Sequence, residues 1–420
     1  MIRRYDILYA FGALVSSPVL GYRLLRTGKW RTDWAGRFGR TPPLPDSSRP
    51  TLLLHGVSVG EINATRELVD RLGRSGTPGV DLVISATTNT GFDRARTLYE
   101  GRYPVVRFPF DFSWMVRRFL DTVRPDAVAL MELEVWPNLA RECGEREIPL
   151  AVVNGRLSPS SFRHYRWAGP FVGPMFRSLA AVGVQTETYG RRFQALGVPA
   201  DRIAVTDTMK WDTVKLTDDV EGSTALAEAL GIDRSRPLIV AGSTGAGEEA
   251  MLLEGRPRDV QLMLVPRKPE RFHEVARLAP GMVRRSLNPD GGRGPGGNLF
   301  LLDTMGELTK AYALADVAVV GRSFVPLGGS DPIEAIALGK PTVMGPHHEN
   351  FRDVVRAFRE AGGIRVTDRP MEAARELLAH PDERAAMAER GRGVIRERQG
   401  ATERTTHLLY DLLDLSQEGA

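Results

Sequence analysis

The chain has a single cysteine, Cys143, so no disulfide can form within it, and its folding must rest on burial; this fits a reducing compartment. Its seven histidines include no pair at the helical spacing of a zinc site, and the adjacent His347 and His348 point apart, so no zinc site is read; no cofactor is expected either. There is no internal repeat of solenoid length. The one apolar N-terminal stretch, Ile7–Tyr22, stays uncharged for 16 residues. As a helix it would span ~24 Å at ~1.5 Å per residue, short of the ~30 Å hydrocarbon core, and Pro18 is expected to kink it. No convincing cleavage site follows, so it reads as an uncleaved anchor that lies in the membrane or barely crosses it.

What is present is charge at one end. Of the formal net charge of +4, residues 1–40 hold eight Lys or Arg against Asp6 and Asp33, a balance of +6 that leaves −2 for the other 380. A basic end without an RNA-binding motif points to an anionic membrane surface and not to nucleic acid. With 420 residues, 42% hydrophobic and 26% charged, the chain is globular and long enough for two α/β domains.

From Thr51 to about Thr206, short apolar runs (Thr51–Leu54, Val80–Ser85, Val105–Phe108, Ala127–Met131, Leu150–Val153, Ala181–Gln185, Ile203–Val205) alternate with helical stretches such as Ser113–Thr122 and Thr188–Leu196. That is the pattern of a parallel doubly wound sheet. A second series follows: Leu238–Ala241, Gln261–Val265, Gly281–Arg285, Phe300–Asp303, Val317–Val320, Thr342–Met344 and Gly363–Val366. The expected organisation is an N-terminal basic segment (1–40), a first Rossmann-like domain (41–211), a linker (212–236), a second Rossmann-like domain (237–400) and a closing helix (401–420) that packs back on the first domain. A cleft between the two domains is expected. Asn288–Asn298 is glycine-rich and precedes a strand, so it is read as a loop and not as a phosphate-binding P-loop.

In Thr51–Leu72 a strand passes through two glycines into an amphipathic helix, with Glu61 at the turn. A carboxylate there is a candidate base at the ligand end of a parallel sheet. Its dull alternative is complementation of the helix dipole. MELEVWPN sets Glu132 and Glu134 at what reads as alternating strand positions sharing one face. VNGRLSPSS supplies Asn154 and Arg156 for a polar acceptor, and Lys210 in TDTMKWD stands where it can meet developing phosphate charge. In the second half AGSTGAGEE (Ala241–Glu249), PRKPERF, DTMGELTKAY and GRSFVPLGGSDPIEAIALGKP read as seats for an anionic, nucleotide-like ligand, with Arg267 and Lys268 at the cleft face, where the guanidinium can fork onto phosphate or the stretch is a solvated basic loop, and with Glu334 placed for a ribose or for the helix dipole.

Taken in order, HGVSVGE, ISATTNTG, FPFDF, MELEVWPN, VNGRLS, VQTE, MKWD, AGST, PRKPERF, DTMGEL and SFVPLGGSDPIEAIALGKP resemble the 3-deoxy-D-manno-octulosonic acid (Kdo) transferases of lipopolysaccharide synthesis, across most of the chain to about Asn350. The resemblance implies an α/β glycosyltransferase-B fold of two Rossmann-like domains with a membrane-associated N-terminal helix. It implies an inverting, metal-independent transfer of Kdo from CMP-Kdo to a lipid A precursor at the cytoplasmic face of the inner membrane. By the same resemblance Glu61 is the proton acceptor, and Glu132 and Lys210 stabilise the transition state. CMP meets Pro266 and Arg267, then Met305, Gly306 and Glu307, then Asp331, Pro332, Ile333 and Glu334. Ser58, Gly60, Asn154 and Arg156 complete the substrate-binding set. The chain departs from the family's GGHNxLEPAA at Ser330 and Asp331, from PRHPERF at Lys268, and from AGSTHEGEE at Gly245 and Ala246, which leaves open a different donor. A related transferase using another nucleotide sugar and a catalytically silent membrane-bound scaffold are the alternatives.

Overall fold

The computed structural model describes residues 3–27, 32–45, 47–74, 79–289 and 296–415. Most of the Asn288–Asn298 loop therefore lies outside the described residues. The chain divides into two units, Met1–Thr213 with Gln399–Ala420, and Val214–Arg398.

The first unit is built on seven parallel strands, β1 (Thr51–Gly56), β2 (Asp81–Ala86), β3 (Val105–Arg107), β4 (Ala127–Met131), β5 (Leu150–Gly155), β6 (Ala181–Val184) and β7 (Ile203–Val205). They lie in the order β3-β2-β1-β4-β5-β6-β7. Alternation along β1 sends Leu53 to one sheet face, with Val83, Phe108, Phe119 and Val128, and Leu52 and Leu54 to the other, with Ile84, Ala129 and Met131. The helix Ala401–Leu412 covers that second face with Leu409 and Tyr410. Its start is pinned by Asp212, whose carboxylate accepts from Gly400 N at 2.8 Å and Thr402 N at 2.5 Å.

The second unit repeats the architecture with β8 (Leu238–Thr244), β9 (Gln261–Pro266), β10 (Val283–Arg284), β11 (Leu299–Leu301), β12 (Val317–Val320), β13 (Thr342–Met344) and β14 (Arg365–Val366), ordered β10-β11-β9-β8-β12-β13-β14. The stretch expected as a linker is not all connector. Ser223–Leu230 is a helix whose Leu226, Ala227 and Leu230 enter this unit's core, because their spacing gives one apolar face within an otherwise polar segment.

The N-terminal helix runs Arg4–Thr27 with Pro18 inside its span. Among the described residues no helix is long and apolar enough to cross a membrane. Its first turn is bound to the first unit through Asp6, whose carboxylate accepts from Arg3 N (2.9 Å), Ser113 N (2.8 Å), Ser113 Oγ (2.5 Å) and Asn138 Nδ2 (3.1 Å). Arg3 adds a forked contact to Glu145 at 2.8 and 2.6 Å. Beyond that turn Ile7, Leu8, Phe11 and Leu14 face outward, Leu14 with 72% of its surface exposed.

Burial opposes ionisation of Asp6, but the donors from Ser113, Arg3 and Asn138 win and hold its carboxyl below the ordinary aspartate value. A depressed carboxyl contributes stability above its unfolded value, about 3.9, and loses it as pH falls through the folded value. We expect Asp6→Ala to cost roughly 1–3 kcal/mol at pH 7, with the gap to the parent narrowing below pH ~4, as read by denaturant unfolding.

Candidate active site

Strand order in the first sheet reverses between β1 and β4, so the loops leaving these two strands diverge to opposite faces and open a crevice at their carboxyl ends. Glu61 stands in the first turn of the helix that follows the β1 loop, and Glu132 on the loop after β4. After β1, Ser58 caps the helix Val59–Ala64. Its Oγ accepts from Glu61 N at 3.3 Å and donates to Glu61 Oε1 at 2.7 Å, while Val57 N donates to Oε2 at 2.8 Å. This reciprocal cap gives the acid a structural duty in the first helical turn, beside the dipole complementation expected from the sequence. Each carboxylate oxygen still keeps a free lone pair, and Glu61 is only half-buried. Gly60 is exposed, and a Cβ there would meet nothing closer than Ser58 Oγ at 3.8 Å.

The pairing of Glu132 and Glu134 on one strand face needs correction. β4 ends at Met131, and Glu132 turns into left-handed backbone with φ 58°. For a residue with a Cβ this conformation costs about 1–2 kcal/mol. It is held by Glu132 N donating to Val153 O (3.0 Å) and Arg156 N donating to Glu132 O (3.2 Å). Asn154, on the neighbouring β5, is left-handed as well, at φ 53°. Its Oδ1 accepts from Met209 N at 3.3 Å, so it braces the turn Met209–Thr213 that carries Lys210, and its buried Nδ2 has no partner among the described residues.

Electrostatics bring these groups to one locality. Burial raises the Glu132 carboxyl and Glu61 adds to the rise, while Arg156 and Lys210 oppose it. Glu134 is pushed up to about 7 by burial, then by Glu61 and Glu132. The arrangement holds one carboxylate at a strand-end turn beside further acids of raised pKa, with cations within electrostatic reach.

Three side chains around this crevice were not singled out from the sequence. His55 is fully buried between Ser85 Oγ (2.9 Å) and Thr87 Oγ1 (3.2 Å), stacked on Phe108, and burial drives its pKa down to about 3, so it packs as a neutral ring. Arg37 and Arg107 both donate to Thr87 O, and Arg107 also donates to Thr88 O at 3.0 Å. Burial and the neighbouring Arg107 hold Arg37 down to about 10. The only sequence signal for this pair was Arg107 itself, a charge inside an apolar strand.

In the second unit the order reverses between β8 and β12. The loops after these strands are AGSTGAGEE and GRSFVPLGG, two of the expected anion seats. At the first, the Gly245 amide is already taken. The fully buried Glu248 carboxylate accepts from Gly245 N (2.8 Å), Arg322 N (2.6 Å) and Phe324 N (2.9 Å), stapling both loops together from within. Asp331 accepts from Ile333 N at 3.0 Å in a turn just ahead of the short helix Ile333–Ala337, which removes one amide expected to face phosphate. Glu334, expected on a ribose, is raised by burial and accepts from Thr309 Oγ1. Glu307 takes Thr304 Oγ1 (2.6 Å) and Arg285 Nε (3.1 Å); burial works against its charge, but these partners hold its carboxyl low. Arg267, Lys268 and Met305 remain exposed, Pro266 and Ile333 are buried, Pro332 is buried beside them, and Gly306 turns at φ 84°.

A family model described as 3-deoxy-D-manno-octulosonic-acid transferase (kdotransferase) matches residues 32–213. The chain is similar to the 3-deoxy-D-manno-octulosonic acid transferase of Bordetella pertussis, 36% identical over 409 residues that cover 92% of this chain and 93% of that protein. It is also similar to the Haemophilus influenzae protein of the same name, 29% identical over 430 residues, covering 98% and 99%. Among solved structures, Anabaena HepE in complex with UDP matches with TM-score 0.58 at 14% identity, over 86% of this chain and all of that one, a likeness of fold alone.

Because the Glu134 value near 7 exceeds the unfolded one, about 4.3, the folded state keeps an extra proton between the two, and stability falls as pH rises through that window. Glu134→Gln should therefore gain melting temperature relative to the parent at pH 8 compared with pH 5. An equal difference at both pH values would count against the shift.

Proposed function

The chain belongs to the 3-deoxy-D-manno-octulosonic acid (Kdo) transferase family, and from that premise we propose that it transfers Kdo from CMP-Kdo to a lipid A precursor, with inversion and without a metal. The observation that carries this reading is Glu61, oriented by two donors on the loop after β1 at the point where strand order reverses. In the proposed step a sugar hydroxyl of the acceptor attacks the anomeric carbon of Kdo, its proton passes to Glu61, and the bond to the CMP phosphate oxygen breaks as CMP departs. A single displacement needs a positioned base and stabilisation of the leaving phosphate; it needs no protein nucleophile. Lys210 would meet the developing charge, and Glu132 would support it from the adjacent loop. Ser58, Gly60, Asn154 and Arg156 are assigned to the first unit's substrate contacts. Pro266, Arg267, Met305, Gly306, Glu307 and the run Asp331, Pro332, Ile333 and Glu334 are assigned to CMP. Asp331, already engaged with a backbone amide, is proposed to stay clear of the phosphate.

The proposed place of action is the cytoplasmic face of the inner membrane. Supporting this, the N-terminal helix carries outward Ile7, Leu8, Phe11 and Leu14 and sets Tyr9 edge-on against Phe112, 5.8 Å between centroids, two residues along the chain from Phe110 of an aromatic surface. On that surface Trp34, Phe38, Phe110 and Trp114 pack on one another while each stays more than a third exposed. Arg37 lies over Phe110 and Arg118 over Trp114, an amphipathic mixture suited to lipid headgroups.

Glu61→Gln is expected to lower transfer from CMP-Kdo by 100-fold or more, read by mass spectrometry of a tetraacylated lipid A precursor, while thermal stabilisation by CMP stays intact. Retained transfer would remove Glu61 as the base, and stronger stabilisation by UDP than by CMP would point to another donor. Phe38→Ser with Trp114→Ser should weaken sedimentation with anionic vesicles at least several-fold; unchanged sedimentation would remove the aromatic surface from membrane docking.

A further inference from the structure

Apart from the residues assigned to substrates, the second unit holds a cavity of about 480 Å3 between the end of the helix Glu248–Glu254 and the start of the helix Pro370–Ala379. Arg267, Gly306 and Glu334 do not line it. Three arginines do, Arg256, Arg369 and Arg375, over an apolar floor that includes Met251 and Met371.

The charges of this cavity are not balanced from within. Two carboxylates, Asp368 and Glu372, reach its wall, and Glu372 is engaged by Arg369 at 3.4 Å on the exposed side. Among the described residues Arg256 and Arg375 form no hydrogen bond or ion pair, and the Nε and Nη1 of Arg256 are shut off from solvent without any acceptor. Arg375 is exposed and Arg256 half-buried, but the two enclosed nitrogens of Arg256 lack both water and partner, which is unfavourable unless something else supplies the acceptors. Arginine forks suit tetrahedral oxyanions, because two N–H groups of one plane can meet two oxygens.

We propose that this cavity binds a phosphate-bearing ligand, with Arg256 and Arg375 as its phosphate contacts and the methionine floor against the ligand's carbon skeleton. The site is separate from the one assigned to CMP, so both can be filled together. A soluble phosphomonoester and a phospholipid headgroup present the same chemistry to these arginines.

The test uses the full-length protein with CMP at saturation, so that the nucleotide seat is closed to competing phosphate. Glycerol 3-phosphate is titrated calorimetrically in one arm, and phosphatidylglycerol vesicles are compared with phosphatidylcholine vesicles in the other. Binding of glycerol 3-phosphate that weakens at least tenfold in Arg256→Met and in Arg375→Met supports a soluble ligand. Binding confined to phosphatidylglycerol and lost in the same variants supports a headgroup. In both cases ligand-free Arg256→Met should melt at or above the parent temperature, since it removes an unpartnered charge, and its KM for CMP-Kdo should stay within twofold. Absence of binding in both arms, displacement by CMP, binding unchanged in Arg256→Met, or a lower ligand-free melting temperature in that variant would each overturn the proposal.

Discussion

A parallel strand covered on both faces can keep a polar side chain only where a partner is buried with it, as His55 has Ser85, and otherwise only beyond its ends, and this constraint arranges the molecule. β4 is buried at all five positions and β8 at all seven. Chemistry is therefore displaced to the loops at their carboxyl ends, and most of all to the two places where the strand order turns back on itself, β1 with β4 and β8 with β12. Glu61 and Glu132 occupy the first of these places, and Glu248 the second.

The two reversal points are used differently. At β1 and β4 the carboxylates are half-exposed, and the protonation of Glu132 and Glu134 responds to burial and to the charges around them. At β8 and β12 the Glu248 carboxylate is fully enclosed by three backbone amides, and its role is to fix the shape of two loops. A buried carboxylate with three short donors is satisfied; removing it would strand three amides. Residues on the neighbouring loops, Arg267, Met305 and Gly306, stay exposed.

The left-handed pair Glu132 and Asn154 shows how the first site is held open. Each conformation is unfavourable alone, and each is fixed by bonds between adjacent strand ends and by the turn that carries Lys210. The same unit carries the aromatic surface and the docked first turn of the N-terminal helix, so the residues read as catalytic and those read as facing lipid share one rigid support.

The sequence by itself determined the strands and the family. Each of the fourteen apolar runs overlaps a strand, and for the central strands this follows because a sheet buried on both faces demands uninterrupted β-branched and aliphatic residues, a local demand. The motif order around HGVSVGE and MELEVWPN was equally legible, since each motif is contiguous. Only the tertiary structure decided how the polar groups are spent. The amide of Gly245 belongs to Glu248, that of Ile333 to Asp331, and the oxygens of Glu61 to Ser58 and Val57. Glu132 leaves its strand, and His55 is neutral inside the core. Spacing reveals which residues can reach a strand end; which of them is already satisfied there depends on partners brought in from loops dozens of residues away.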